Sequence, residues 1–93
     1  MRRIERTGRF KRDYQRELRG PHGKLLEKTL RSVLEALTMG DTLDARYRDH
    51  PLTGEWAGFR DCHIRPDLVL IYEKPDDQVL RLMRLGSRSE LGW

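Results

Sequence analysis

Ninety-three residues are enough for one domain with a modest core and too few for a second active domain beside it. Apolar residues make up 37% of the chain and charged residues another 37%, which allows a core under a densely charged surface; no stretch approaches the roughly 20 apolar residues of a membrane span. The 19 Lys and Arg outnumber the 15 Asp and Glu for a net charge of +4, mostly through arginine, whose planar fork suits phosphate, so a polyanionic partner is expected: nucleic acid, an anionic membrane or an acidic protein.

The chain opens Met1-Arg2-Arg3 and stays polar, without the apolar run of a secretory leader. Residues 2–6 suit a short strand around Ile4, and Thr7 suits the N-cap of a first helix. Phe10, Tyr14 and Leu18 then recur every fourth residue as a narrow apolar stripe, which Gly20-Pro21 ends. His22, in the turn that follows, reads as a solvated loop residue. Leu25, Leu26, Leu30, Val33, Leu34 and Leu37 mark a second helix, stopped at Gly40. Residues 41–51 read as a loop with room for one helical turn, and residues 55–64 as a strand carrying Trp56, Phe59 and Ile64, with Phe59 in the core. Residues 68–73, LVLIYE, form the continuous apolar run of a central strand buried on both faces. Pro75-Asp76-Asp77 is a hairpin turn, and residues 78–85 make a last strand whose arginines are expected to point away from the helices. The predicted fold is α+β in the order β-α-α-β-β-β: one domain, with a helical hairpin packed on a small, mainly antiparallel sheet.

Cys62 is the only cysteine, so no internal disulfide and no thiolate zinc site can form, which fits a reducing compartment such as the cytoplasm. The chemistry concentrates between Tyr47 and Asp67, where two histidines, several Asp and Arg residues and a tryptophan fall within one stretch of loop and strand. Histidine titrates nearest neutral pH, so His50 and His63 with Asp67 suit proton transfer. RNA cleavage needs such groups: the ribose 2′-OH must lose a proton to attack the adjacent phosphate, and the departing 5′-oxygen must gain one, while cations stabilise the charge gathering at phosphorus. Trp56 suits stacking on a splayed base. Arg60, Arg81 and Arg84 are expected to contact phosphates on the sheet face opposite the helices. Two histidines and an acid also begin a metal site, but the ligand count is low and the spacing matches no known motif. No helix-turn-helix with a basic recognition helix supports a DNA-binding reading.

The segment YRDHPLTGEWAGFRDCHIRPDLVLIY, followed by RLMRLGSRSEL, resembles the YafQ toxins of the RelE superfamily, which belong to bacterial type II toxin–antitoxin systems. The resemblance runs from Tyr47 to about Leu91 and is carried by H-P-L-x-G-x-W-x-G-x-R-D-x-H. It implies a microbial-ribonuclease-like fold and an endoribonuclease that needs no metal or cofactor, cutting mRNA in the ribosomal A site. It also implies a small antitoxin partner, contacted on the helical face, and binding of operator DNA only through the antitoxin complex. His50, His63, Asp67 and Trp56 match the family's motif positions. The C-terminal motif departs from it: Arg88 stands where a catalytic histidine is expected, and Gly92 where the family has Phe, with Trp93 one residue later. Arginine holds its proton at any ordinary pH and cannot shuttle it, though it can stabilise a phosphate. Two explanations follow: attenuated activity, engineered or natural, or an electrostatic role for Arg88 with proton transfer left to the other three. A toxin-like domain that binds RNA or antitoxin without cutting is the alternative in a different class.

Overall fold

The computed structural model describes residues 1–21 and 23–92, so the readings of His22 and Trp93 fall outside the described residues. Strand β1 is Arg3–Arg6, helix α1 Gly8–Leu18, helix α2 Gly23–Met39, strand β2 His50–Pro51, β3 Arg60–Arg65, β4 Leu68–Glu73 and β5 Val79–Gly86. Two single 3-10 turns, Ala45–Tyr47 and Gly54–Trp56, flank β2. The strands form one sheet in the order β1-β5-β4-β3-β2, with β1 parallel to β5 and the other pairs antiparallel. The result is the expected α+β arrangement, with one strand, β2, that the sequence pattern did not reveal.

Local chemistry sets the helix ends. Thr7 is extended and its hydroxyl accepts the Phe10 N–H, which satisfies one of the orphan donors at the start of α1. At the end of α2, Gly40 takes a φ of 77°, and the N–H groups of Gly40 and Asp41 reach back to the carbonyls of Leu37 and Ala36, which closes the helix in a Schellman motif. Leu26, Leu30, Val33, Leu34 and Leu37 of α2 pack with Phe10 of α1 against Cys62, Ile64, Leu70, Tyr72 and the leucines of β5. Each such fully buried side chain contributes about 2 kcal/mol. Leu25, one place off this stripe, is instead 54% exposed. In β4 every residue from Leu68 to Tyr72 is buried, but Val69 and Ile71 stand outside the helix-side cluster and floor the opposite face. Burial also pushes the Cys62 thiol up, so it packs as an unreactive apolar group.

Residues 55–59 do not form the expected strand. Gly54 and Gly58 have φ of 67° and 94°, left-handed conformations that a strand cannot contain, and β3 begins only at Arg60. Trp56 and Phe59 are half-buried and stack edge to face with ring centroids 5.3 Å apart, so Phe59 supports Trp56 rather than joining the core.

Strand β1 pairs only with Val79 to Leu82, which leaves the rest of β5 without a strand on that side. Helix α1 closes this edge with side chains. The Thr7 hydroxyl lies 2.9 Å from the Leu82 carbonyl and 3.1 Å from that of Met83. Arg16 Nη2 donates to the Leu85 carbonyl at 2.9 Å, and Asp13 Oδ2 accepts the Leu85 N–H at 2.9 Å. Asp13 is 4% exposed and also accepts Arg84 Nε at 2.8 Å and Arg16 Nη1 at 3.1 Å. Burial alone would raise its carboxyl, but Arg84, the Leu85 N–H and Arg16 outweigh it and hold the group below the usual 3.8.

A folded-state value below the unfolded one means that this stabilisation is present above pH 3.8 and is lost as pH falls through the folded value. Asp13→Ala, which leaves two guanidiniums and a backbone N–H without their acceptor, is expected to cost about 3 kcal/mol at pH 7. Urea unfolding across pH checks both points: the wild-type protein should lose stability on acidification below pH 3.8, and the variant should lack that component.

Candidate active site

His50 sits in β2 directly across from Asp61 of β3, and Pro51 across from Arg60. Asp61 and His63 alternate along β3 with Cys62 and Ile64, which face the helices, so the first two share the opposite face. The rings of His50 and His63 lie 6.5 Å apart, centroid to centroid, at an interplanar angle of 40°. His50 is the more open of the two, whereas His63 is 7% exposed. Asp67 is exposed in the tight turn between β3 and β4.

The loop holding His50 is clamped from below. Tyr72 is fully buried, and its hydroxyl donates to Asp49 Oδ1 at 2.5 Å, while Arg60 Nε reaches the same oxygen at 3.3 Å. Burial and the Asp49 carboxylate both push the Tyr72 hydroxyl up, so it remains a donor. On the other side of Asp49, Arg48 takes a φ of 50°, a left-handed conformation unusual for a residue with a side chain. Its carbonyl lies 2.6 Å from His50 Nδ1. A carbonyl only accepts, so Nδ1 carries the proton and Nε2 of the neutral ring is left with its lone pair.

Asp61 Oδ1 is 3.1 Å from the same Nδ1 but has no hydrogen-bond partner of its own, because that N–H is committed to Arg48. Asp61 is therefore an electrostatic neighbour of His50, 2% exposed. Burial raises its carboxyl above the ordinary range, and the charges of His50, His63 and Arg88 offset this only in part. Reading the sequence alone missed Asp61. The available signal was R-D-x-H within a strand, which puts the acid and the histidine on one face.

Arg88 projects from the segment after β5. Ser87 and Glu90 hold this segment in a capping box, with the Ser87 N–H donating to Glu90 Oε1 at 3.0 Å and the Glu90 N–H to Ser87 Oγ at 3.1 Å. Glu90 is fixed in turn by Arg16 Nε at 2.8 Å. Arg88 lines two adjoining cavities. The smaller, about 400 Å³, also meets His50, Leu52, Trp56 and Asp61. The larger, about 870 Å³, meets His63, Asp67 and the arginines at positions 46, 48 and 65.

The structure thus brings His50, His63, Asp67, Arg88 and Trp56 around one site. It does not bring Arg60, Arg81 or Arg84 there. Arg60 is tied to Asp49, Arg81 to Glu5 and Glu73, and Arg84 to Asp13; none of the three lines either cavity. A bulge in β5 does put Arg81 and Arg84 in register with Glu73 and Ile71 of β4, on the sheet face away from the helices, but Arg81 meets Glu5 and Glu73 there and Arg84 reaches the Asp13 carboxylate of α1. Chemically, the site offers a histidine with a free Nε2, a second histidine within one phosphate's reach, and a permanent cation between two cavities. Among the described residues, no group of three or more His, Cys, Asp or Glu is placed to hold a metal ion, and no helix is long and apolar enough to cross a membrane.

This fold, with paired histidines and an arginine beside the sheet's short edge strand, is shared with small bacterial toxins of type II toxin–antitoxin systems. Residues 2–92 match the family described as "Bacterial toxin of type II toxin-antitoxin system, YafQ", and the chain belongs to that family. It is 38% identical over 90 residues to the mRNA interferase toxin YafQ of Escherichia coli K12, covering 95% of this chain and 97% of that protein. The crystal structure of a metal-bound toxin from Helicobacter pylori superposes with a TM-score of 0.81 at 37% identity, over 98% of this chain and 99% of the other. The E. coli DinJ-YafQ complex gives a TM-score of 0.79 at 33% identity, over 98% of both chains.

The hydrogen bond to the Arg48 carbonyl fixes a testable state. Long-range ¹H–¹⁵N spectra recorded where His50 is neutral should show the proton on Nδ1, against the usual preference of free histidine for Nε2. A neutral His50 protonated at Nε2 contradicts the geometry.

Proposed function

We propose that this chain is the toxin of a type II pair, an endoribonuclease that cleaves mRNA in the ribosomal A site and so stops translation in the cytoplasm. The observation that carries this reading is the facing pair His50 and His63, 6.5 Å apart beside Arg88, in a family whose E. coli member is an mRNA interferase. His50 Nε2 takes the proton of the ribose 2′-OH, and the oxygen attacks the adjacent phosphorus. The new 2′-O–P bond forms as the bond to the 5′-oxygen breaks, and His63 returns a proton to that leaving oxygen. The buried Asp61 carboxylate, 3.1 Å from Nδ1, stabilises the imidazolium that His50 becomes. Arg88 faces the charge on the phosphoryl oxygens. Asp67 orients His63 or the leaving group from the β3–β4 turn, and Trp56 stacks a base over the smaller cavity. No step needs a metal or cofactor.

The partners in this reading are the ribosome and its mRNA, a cognate antitoxin as in the DinJ-YafQ complex, and operator DNA through the antitoxin complex alone. Arg88 favours a second reading. If the family's histidine supplies a proton that Arg88 cannot, the chain is an attenuated nuclease or, at the limit, a binding module that does not cut.

Ribosomes carrying mRNA in the A site decide among these. His50→Ala and Asp67→Ala are each expected to slow cleavage by about 10²- to 10⁴-fold and to relieve growth arrest on induction. Full toxicity in both would sink their assignment. Arg88→His is expected to raise the cleavage rate at least about tenfold; a reverted protein that cuts no faster removes the case for attenuation. Ribosome binding with intact mRNA would favour the binding module.

A further inference from the structure

The larger cavity holds more positive charge than the chemical step needs. Four arginines line it, Arg46, Arg48, Arg65 and Arg88, against one carboxylate, Asp67. Arg88 alone is enough to face phosphorus. The other three have no carboxylate partner among the described residues, as is also true of Arg6, Arg9 and Arg12 on β1 and α1, but they are gathered with Arg88 around one cavity beside the histidines. Arg16, Arg60, Arg81 and Arg84 each contact a carboxylate, whereas Arg46, Arg48 and Arg65 make no ion pair among the described residues. Uncompensated guanidiniums gathered around one concavity repel each other and focus a positive potential, an arrangement that a polyanion relieves.

Arg46 is also preset. Its guanidinium stacks 4.8 Å over the Tyr47 ring and donates to the Tyr47 hydroxyl at 2.9 Å. The nearby Asp44 carboxylate does not neutralise it; that group caps the 3-10 turn by accepting the Arg46 backbone N–H at 3.0 Å. Arg48 couples the cavity to the histidines, because its own carbonyl orients His50. The cavity, at about 870 Å³, has more than twice the volume of the one beside Trp56, and it meets that one at Arg88. Its size suits a run of backbone rather than a single base.

We propose that Arg46, Arg48 and Arg65 form a subsite for the phosphodiesters that flank the scissile phosphate on the substrate RNA strand. The ligand is recognised as successive phosphates of single-stranded RNA, and continuity with His63 and Arg88 assigns them to the strand being cut rather than to ribosomal RNA. The identity of the strand rests on the RNA-cleaving reading; the charge arrangement does not.

The test is equilibrium binding of a short single-stranded oligonucleotide with 2′-O-methyl riboses throughout, which cannot be cut, followed by fluorescence anisotropy over a range of salt. Arg46→Gln and Arg65→Gln should each raise Kd about tenfold and lower the slope of log Kd against log salt by about 0.7, the loss of one single-strand phosphate contact. Lys11→Gln, on the outer surface of α1, should change neither. On the same oligonucleotide with neutral methylphosphonate linkages, wild type and arginine variants should bind alike. An unchanged salt slope, or a Kd difference that survives on the neutral backbone, overturns the subsite. Cleavage of mRNA on programmed ribosomes separates the two readings. Wild type that binds with the full slope but never cuts keeps the subsite and defeats the nuclease; variants that bind and cut as wild type defeat the subsite alone.

Discussion

The carboxylate of Asp13 is the buried centre of the polar network that ties α1 to β5. It sits on α1 yet accepts the backbone N–H of Leu85 and the guanidinium of Arg84, both on β5. The need arises from the length of β1. Four residues cannot pair with an eight-residue strand, so the second half of β5 would otherwise present unpaired backbone groups at a sheet edge. A buried backbone donor without an acceptor costs about as much as several favourable contacts return. Asp13, Thr7 and Arg16 remove that cost together, and Arg16 then extends the same network to Glu90 and the turn that carries Arg88. One buried acid thus supports the sheet edge and, through Arg16, the far end of the site.

The other edge is arranged in the opposite way. Strand β2 pairs only with Arg60 and Asp61, so the remainder of β3 has no strand on that side. Here the 3-10 turn at Ala45–Tyr47 and the larger cavity lie where a strand would be. One short edge strand is made good by side chains that neutralise each other; the other leaves an opening rimmed by arginines. Both follow from the same limitation, a sheet whose terminal strands are too short to cover their neighbours.

Elements whose signal is local were legible in the sequence. The run Leu68–Glu73 needs burial on both faces, and no other element has that composition. Thr7 and Gly40 announce helix ends through chemistry that acts within a few residues. Features set by pairing were not legible. His50 and Asp61 are eleven positions apart, and only the two-residue pairing of β2 with β3 makes them neighbours. Of the strand expected over 55–64, only the part from Arg60 formed, because Gly54 and Gly58 at positive φ fold the stretch before it into a turn, and apolar spacing carries no record of φ. His50, His63, Asp67 and Trp56 stood out by residue type and clustering, and the motif resemblance pointed to the same four. Their mutual geometry depends on register and on the clamp of Tyr72 and Arg60 on Asp49, neither of which periodicity encodes.

Net charge was the least informative signal. A surplus of arginine does not say which guanidiniums are already satisfied. Arg81 is the plainest case: it lies on the expected face, but Glu5 and Glu73 hold both arms of its fork, and a phosphate would have to displace a carboxylate at each. Arg46 shows the reverse, on a loop with no strand to advertise it, resting on Tyr47 and answered by no acid among the described residues. What recruits a polyanion is the local excess of charge left after the internal pairs are formed. That excess is a property of the folded arrangement. Here it falls at the edge of β3, beside the two histidines.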